Sequence, residues 1–189
     1  MSPTLTRLLA NPLAVAGAII VALMGGAALA APWIAPFDPH AVDVTSILQA
    51  PSAEHWLGTD RQGRDVLTRL LYGARVSLTV GFVAVGIATV IGLLLGSLAG
   101  YYGGWVDSAV MRLVDIMLAI PTFFLVLAVI AFLEPSIVNV MAVIGLTSWM
   151  GVARLVRAEL LSLRSREYVL AARALGASDA RLIGVHLLP

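Results

Sequence analysis

The sequence predicts an all-helical membrane protein with about four transmembrane helices. Three observations predict it. Hydrophobic residues make up 60% of the chain and charged residues 12%, against about 45–50% and about 25% in soluble domains, and a soluble chain of this size needs more charge to cover its surface. Long apolar segments with almost no charge recur along the chain. The arginines between them are unevenly shared, as expected of loops on two sides of a bilayer.

Four segments qualify in length. They run from Leu13 to about Ile34, from Val76 to Gly100, from about Val114 to Leu133, and from Ile137 to about Ala153. A spanning helix needs about 20 apolar residues, in a range of roughly 17–25, so the fourth is at the short end. The first has a second reading as a secretory signal peptide, with Arg7 as its basic region and Ala28-Leu29-Ala30 as its cleavage site. A signal core covers only about 7–15 residues, and the extra length here, ending in Trp33, favours an uncleaved span. The third carries Asp115 near its start, three residues after Arg112, which reads as an interfacial ion pair on one helix face. Pro121 predicts a kink in that span, for packing or to line a pathway.

With the N-terminus inside, Arg7, Arg112, Arg154, Arg157, Arg164, Arg166, Arg173 and Arg181 are cytoplasmic, and Arg61, Arg64, Arg69 and Arg75 are external. This bias favours a cytoplasmic N-terminus. Tyr101, Tyr102 and Trp105 after the second span and Trp149 near the inner end of the fourth read as interfacial aromatics. Gly92, Gly96 and Gly100 repeat every four residues and predict a close-packing helix face.

The chain divides into residues 1–34 with the first span, an external loop over 35–75, and a region of further spans over 76–189 whose inner loop covers 154–189. In the external loop Pro36, Pro39 and Pro51 break regular structure. Thr59 through Gln62 reads as a capping box, followed by an interfacial amphipathic helix with Val66, Leu67, Leu70 and Leu71 on its apolar face and Arg61–Asp65 and Asp65–Arg69 pairs on its polar face. In the inner loop the run from Arg166 to Leu175 is rich in helix formers. Gly176 ends it in a left-handed turn, and Ser178 caps a second helix with Asp179 in its first turn.

Several classes are set aside. There is no cysteine, hence no disulfide and no thiolate nucleophile. The net charge of +1 gives no field for nucleic acid. His40, His55, Asp38, Asp43 and Asp60 match no established metal-ligand spacing and read as a solvated loop. No catalytic triad, carboxylate pair or phosphate-binding glycine loop lies on one aqueous face, so no catalytic, cofactor or metal residue is assigned.

The inner loop contains Leu170-Ala171-Ala172-Arg173-Ala174-Leu175-Gly176, followed by Leu188-Pro189. It resembles the cytoplasmic signature of bacterial ATP-binding cassette importer permeases, which reads Glu-Ala-Ala, three residues, Gly, nine residues, Ile, one residue, Leu-Pro. Leu170 replaces the glutamate and His186 the isoleucine. Two further blocks extend the resemblance. One is His55-Trp56-Leu57-Gly58-Thr59-Asp60 with Gly63-Arg64-Asp65, Arg69, Tyr72-Gly73 and Arg75-Val76-Ser77-Leu78. The other is Gly100-Tyr101, Gly103-Gly104, Asp107, Met111-Arg112, Asp115 and Pro121. Together they resemble the oligopeptide/dipeptide permease subunits, the shorter partner of the heterodimer, over almost the whole chain.

The resemblance implies a type I importer helical bundle with six expected spans, of which four are found here, so the chain looks truncated after the coupling loop. It implies a multi-pass protein of the bacterial inner membrane, paired with a second permease and served by an external solute-binding protein. It also implies a cytoplasmic ATPase that binds the ATP and docks on Tyr168, Leu170, Ala171, Ala172, Arg173 and Gly176, with Leu188 and Pro189 closing the loop. Small Ala171 and Ala172 would let the short helix enter a groove on the ATPase. Peptides are the implied substrate and nickel complexes the alternative. An ATPase-independent secondary transporter or channel would need ionisable residues deep in the spans, and Asp115 alone comes close.

Overall fold

The computed structural model describes residues 10–133 and 136–187. Contacts divide the chain into two units, Met1–Thr79 and Val80–Pro189.

In the first unit, helix α1 spans Pro12–Ile34. Asn11 starts it by accepting from the backbone N–H of Leu13 at 3.0 Å and Ala14 at 3.4 Å, and Pro12 occupies the first turn, where its missing N–H costs nothing. Leu13, Val21, Leu23, Leu29 and Trp33 are exposed on α1. An apolar surface on a helix of 23 residues is what lipid accepts.

The loop from 35 to 65 is held by side-chain caps rather than by a ladder; Thr59 and Asp65 form an isolated antiparallel bridge. Asp43 accepts from the Thr45 and Ser46 hydroxyls, and these bonds hold its carboxyl below the usual range. Thr59 Oγ1 accepts from Gln49 N–H at 2.8 Å and donates to the Ser46 carbonyl.

The expected capping box at Thr59–Gln62 does not form. Asp60 turns back onto the N–H groups of Gln62 and Arg64, at 2.8 and 3.1 Å, and Gly63 takes φ +71°. Residues 60–63 are therefore a turn. Helix α2 begins at Val66 and runs to Tyr102 without a break, joining the expected amphipathic helix and second span into one element. Its cap is Asp65, whose Oδ2 accepts from Thr68 N–H at 2.7 Å. The expected Arg61–Asp65 and Asp65–Arg69 pairs give way to Arg64 and Arg69 on Asp60, and to His55 on Asp65 at 3.0 Å.

In the second unit, α3 spans Gly104–Ala119, α4 Thr122–Phe132 and α5 Ile137–Leu163. The expected third span is broken at Ile120–Pro121, and the two halves are bent by 75°. Proline removes an N–H and clashes with the preceding turn. Ile120 is accordingly extended, and α4 restarts behind Pro121. Among the described residues three helices, α1, α2 and α5, are long and apolar enough to cross a membrane, or up to four spans if α3 and α4 together make one.

The upper core of this unit joins Ala88 of α2, Val114 of α3 and Trp149, Met150 and Ala153 of α5. Trp149 is thus a core residue and not an interfacial one, because α5 continues past it to Leu163. Arg154 and Arg157 also remain within this helix. The glycine stripe packs against it. A Cβ on Gly92 would lie 2.6 Å from Val152 Cβ, on Gly96 2.6 Å from the Ala153 carbonyl, and on Gly100 2.8 Å from the Arg157 carbonyl. Gly145 answers from α5, where a Cβ would lie 2.7 Å from Ile87 Cβ. Small residues at this spacing let two backbones approach closely.

Candidate functional site

Below this core α5 passes into α6, Glu167–Ala174, and then into a one-turn helix α7, Asp179–Arg181, which widens into π-helical turns over Leu182–Leu187. The expected helix, glycine turn and helix are present, but the second is short and Ser178 makes no side-chain cap bond to it. Gly176 has φ +83°. Its N–H donates to the Arg173 carbonyl at 3.0 Å and Ala177 N–H to the Ala172 carbonyl at 3.1 Å, the paired bonds of a Schellman ending. A Cβ on Gly176 would meet nothing within 4 Å, so glycine is needed here for backbone conformation and not for space.

The candidate docking residues fall on two faces of α6. Tyr168, Leu170 and Ala171 point outward, and Leu175 beyond them is 89% exposed. Ala172 points inward, beside Val169, into a cluster with Tyr101, Leu160, Leu182 and Leu187. The outward apolar face therefore lacks Ala172, which packs within the chain. Leu188 and Pro189 lie outside the described residues.

Polar contacts fasten the loop to the helices above it. Tyr101, at the end of α2, donates its hydroxyl to Asp179 Oδ1 at 2.5 Å and accepts from Arg173 Nη2 at 3.1 Å. The Arg173 guanidinium also lies over the Tyr101 ring, 5.5 Å from its centre. Arg164 Nη1 donates to the carbonyls of Gly100 and Tyr101 at 3.4 and 3.3 Å, where α2 runs out of helical partners. Arg157 forms a two-pronged pair with Asp107 on α3, and Arg154 reaches Asp115 at 2.6 Å. Asp115 thus pairs across to α5, not with Arg112 on its own helix as expected.

Sequence reasoning missed the roles of Tyr101, Arg164 and Asp107. Their partners are 50 to 78 residues away, and no local spacing rule reaches that far. Asp179 was read as a dipole partner for α7. It is in the first turn, and it is also the acceptor for Tyr101. In the loop from 35 to 65 His55, Asp43 and Asp60 hold backbone and one another's neighbours, as described above.

Residues 92–189 match the family described as binding-protein-dependent transport system inner membrane component. That match covers more than half of the chain, including α5, α6 and the glycine turn. The chain belongs to this family. Residues 3–51 match the N-terminal transmembrane domain of oligopeptide transport permease C. Among its relatives, the dipeptide transport system permease protein DppC of Alkalihalophilus pseudofirmus is 44% identical over 95% of this chain and 59% of its own length. The probable D,D-dipeptide transport system permease protein DdpC of Escherichia coli K12 is 44% identical over 94% of this chain and 60% of its own. The nickel transport system permease protein NikC of the same strain is 42% identical over 89% and 61%. The chain thus spans about 60% of the length of these curated relatives. It is a multi-pass inner-membrane protein of the helical type I permease fold.

Proposed function

We propose that this chain is a channel-forming permease subunit of an ATP-driven, binding-protein-dependent importer of di- or oligopeptides. It pairs with a second permease, receives substrate from an external solute-binding protein, and docks a cytoplasmic ATPase on the outward face of α6. The chain itself hydrolyses nothing; ATP is bound and cleaved on the docked partner. ATP binding moves α6 and shifts the spans between inward-open and outward-open states. The N-terminus and the inner loop are cytoplasmic in this reading, in keeping with the arginine bias.

The observation that carries the reading is the short helix α6, held from within by Val169 and Ala172 while presenting Tyr168, Leu170 and Ala171 outward beside a left-handed glycine. Peptide relatives at 44% identity favour peptides as substrate, and the nickel permease relative supports nickel complexes as the second reading.

Two substitutions in the assembled transporter test the docking. Ala171→Glu places a charge on the outward face and should abolish co-purification of the ATPase. Gly176→Val forces a β-branched residue to φ +83°, at about 1–3 kcal/mol, and should misdirect α6 and abolish transport. If both variants retain ATPase binding and uptake, α6 is not the docking element.

A further inference from the structure

The geometry points to Tyr101 as the positioning residue that makes α6, α7 and the inner end of α2 move as one body. This rests on the docking role of α6 proposed above.

The loop has a built-in weak point. Gly176 is the only residue between α6 and α7 with positive φ, and open space surrounds it. The Schellman bonds reach only as far as Ala177, and a glycine without a side chain does little beyond them to set the direction of α7. Something else must then fix the angle between the two helices. Arg173 lies three residues before Gly176 and Asp179 three residues after it, and both bind the Tyr101 hydroxyl. The phenol satisfies both at once, donating its single proton to the carboxylate and accepting from the guanidinium. Tyr101 is 7% exposed, while Arg173 and Asp179 reach it from the surface, so the bonds are part-buried.

The same residue ends a stiff rod. Gly92, Gly96 and Gly100 place α2 in backbone contact with α5 just above it. Arg164 then secures the carbonyls of Gly100 and Tyr101 from the far end of α5. A push on α6 therefore has a direct polar route through Arg173 and Tyr101 into the α2–α5 pair. The apolar route, through Val169, Ala172, Leu182 and Leu187, packs both sides of Gly176 against α5, and the Tyr101 hydroxyl adds directional bonds to that packing.

The test is pulsed electron paramagnetic resonance on the assembled transporter in lipid, with one spin-label pair at Glu167 and Ala180 and another at Glu167 and Tyr102. All three positions are exposed; Glu167 shares a face of α6 with Leu170 and Ala171, so the labelled wild type must first be shown to co-purify with the ATPase. Wild type should give one narrow distance for each pair, unchanged on adding ATP and vanadate. Tyr101→Phe keeps the ring and removes the hydroxyl. It should reduce the narrow population about tenfold, the effect of one charge-assisted hydrogen bond on a two-state equilibrium, and let the Glu167–Tyr102 distance shift with nucleotide. Asp179→Ala should do the same, and the double variant should be no broader than either single one. Co-purification of the ATPase should survive in all three.

Distances in Tyr101→Phe that superpose on wild type overturn the proposal, as does a wild-type Glu167–Tyr102 distance that itself shifts with nucleotide. Loss of thermal stability and ATPase binding together in Tyr101→Phe would make the residue a plain structural support and also overturn it. Ala171→Glu separates the two layers of argument: if that variant still binds ATPase, the docking role fails whatever the labels report.

Discussion

Asp65 does two things at the entrance to α2. One carboxylate oxygen caps the helix at Thr68 N–H, and the other pairs with His55 at 3.0 Å. His55 in turn stacks on Phe37, with ring centres 4.7 Å apart, and Thr68 Oγ1 accepts from Phe37 N–H at 3.4 Å. Desolvation pushes the Asp65 carboxyl up, but the Thr68 N–H, His55 and the Thr68 hydroxyl outweigh it and hold the group below the ordinary aspartate range. A depressed value in the folded state adds stability above the unfolded value, near 3.9, and that stability is lost as pH falls through the folded one. Protection of the Thr68 and Arg69 amides from hydrogen exchange should therefore be insensitive to Asp65 from pH 7 to about 4, and fall below that. Asp65→Asn keeps a capping oxygen and should flatten the acid limb. Asp65→Ala should destabilise the loop by about 1–2 kcal/mol from the lost cap alone. Unchanged protection in Asp65→Ala would show that Asp65 does not hold the loop. The motif residues His55, Thr59, Asp60 and Asp65 were all visible in sequence. Which carboxylate capped α2 was not, because Thr59 and Asp65 are both competent caps and only the turn made by Asp60 and Gly63 decides between them.

The close approach of α2 and α5 is a property of whole elements. The four-residue repeat of glycines announced a packing face, and the structure supplies its partner, the Trp149–Leu160 stretch of α5. Gly96→Leu must displace the Ala153 backbone, and overpacking of this kind costs about 1–3 kcal/mol. Gly81→Leu, on the same helix, meets nothing within 4 Å and should be tolerated. Midpoints of thermal unfolding in detergent should separate the two variants, and equal midpoints would remove the glycine contact as a source of stability. The bend at Pro121 was legible in kind, since proline breaks the helical bond pattern wherever it falls inside a span. Its 75° size was not, because tertiary packing of α4 along α5 sets the direction in which the chain resumes. The helix of 37 residues at α2 was underestimated for a related reason. Charges at Arg69 and Arg75 mark the end of an apolar run but not the end of a helix, whose backbone bonds continue through them.

Across the whole molecule, cysteines at Val44 and Ser178 should be labelled differently by an impermeant reagent on intact cells. Val44 is 74% exposed in the loop from 35 to 65, and Ser178 is exposed beside the glycine turn. Val44 should react and Ser178 should not. The reverse pattern would invert the topology drawn from the arginine bias. The sequence by itself determined the membrane class, the positions of the apolar runs, the order of loops and the left-handed turn at Gly176. These follow from composition, from runs of apolar residues and from single-residue backbone preferences, all of them local quantities. Only the tertiary structure decided that Ala172 faces inward, that Trp149 is core, that Asp115 answers Arg154, and that Tyr101 joins Arg173 to Asp179. The last two of these depend on partners 39 to 78 residues apart in the chain. Several arginines and aspartates could have served equally well by charge alone. The choice among them was made when the glycine stripe brought α2 against α5 and fixed which groups lay within reach.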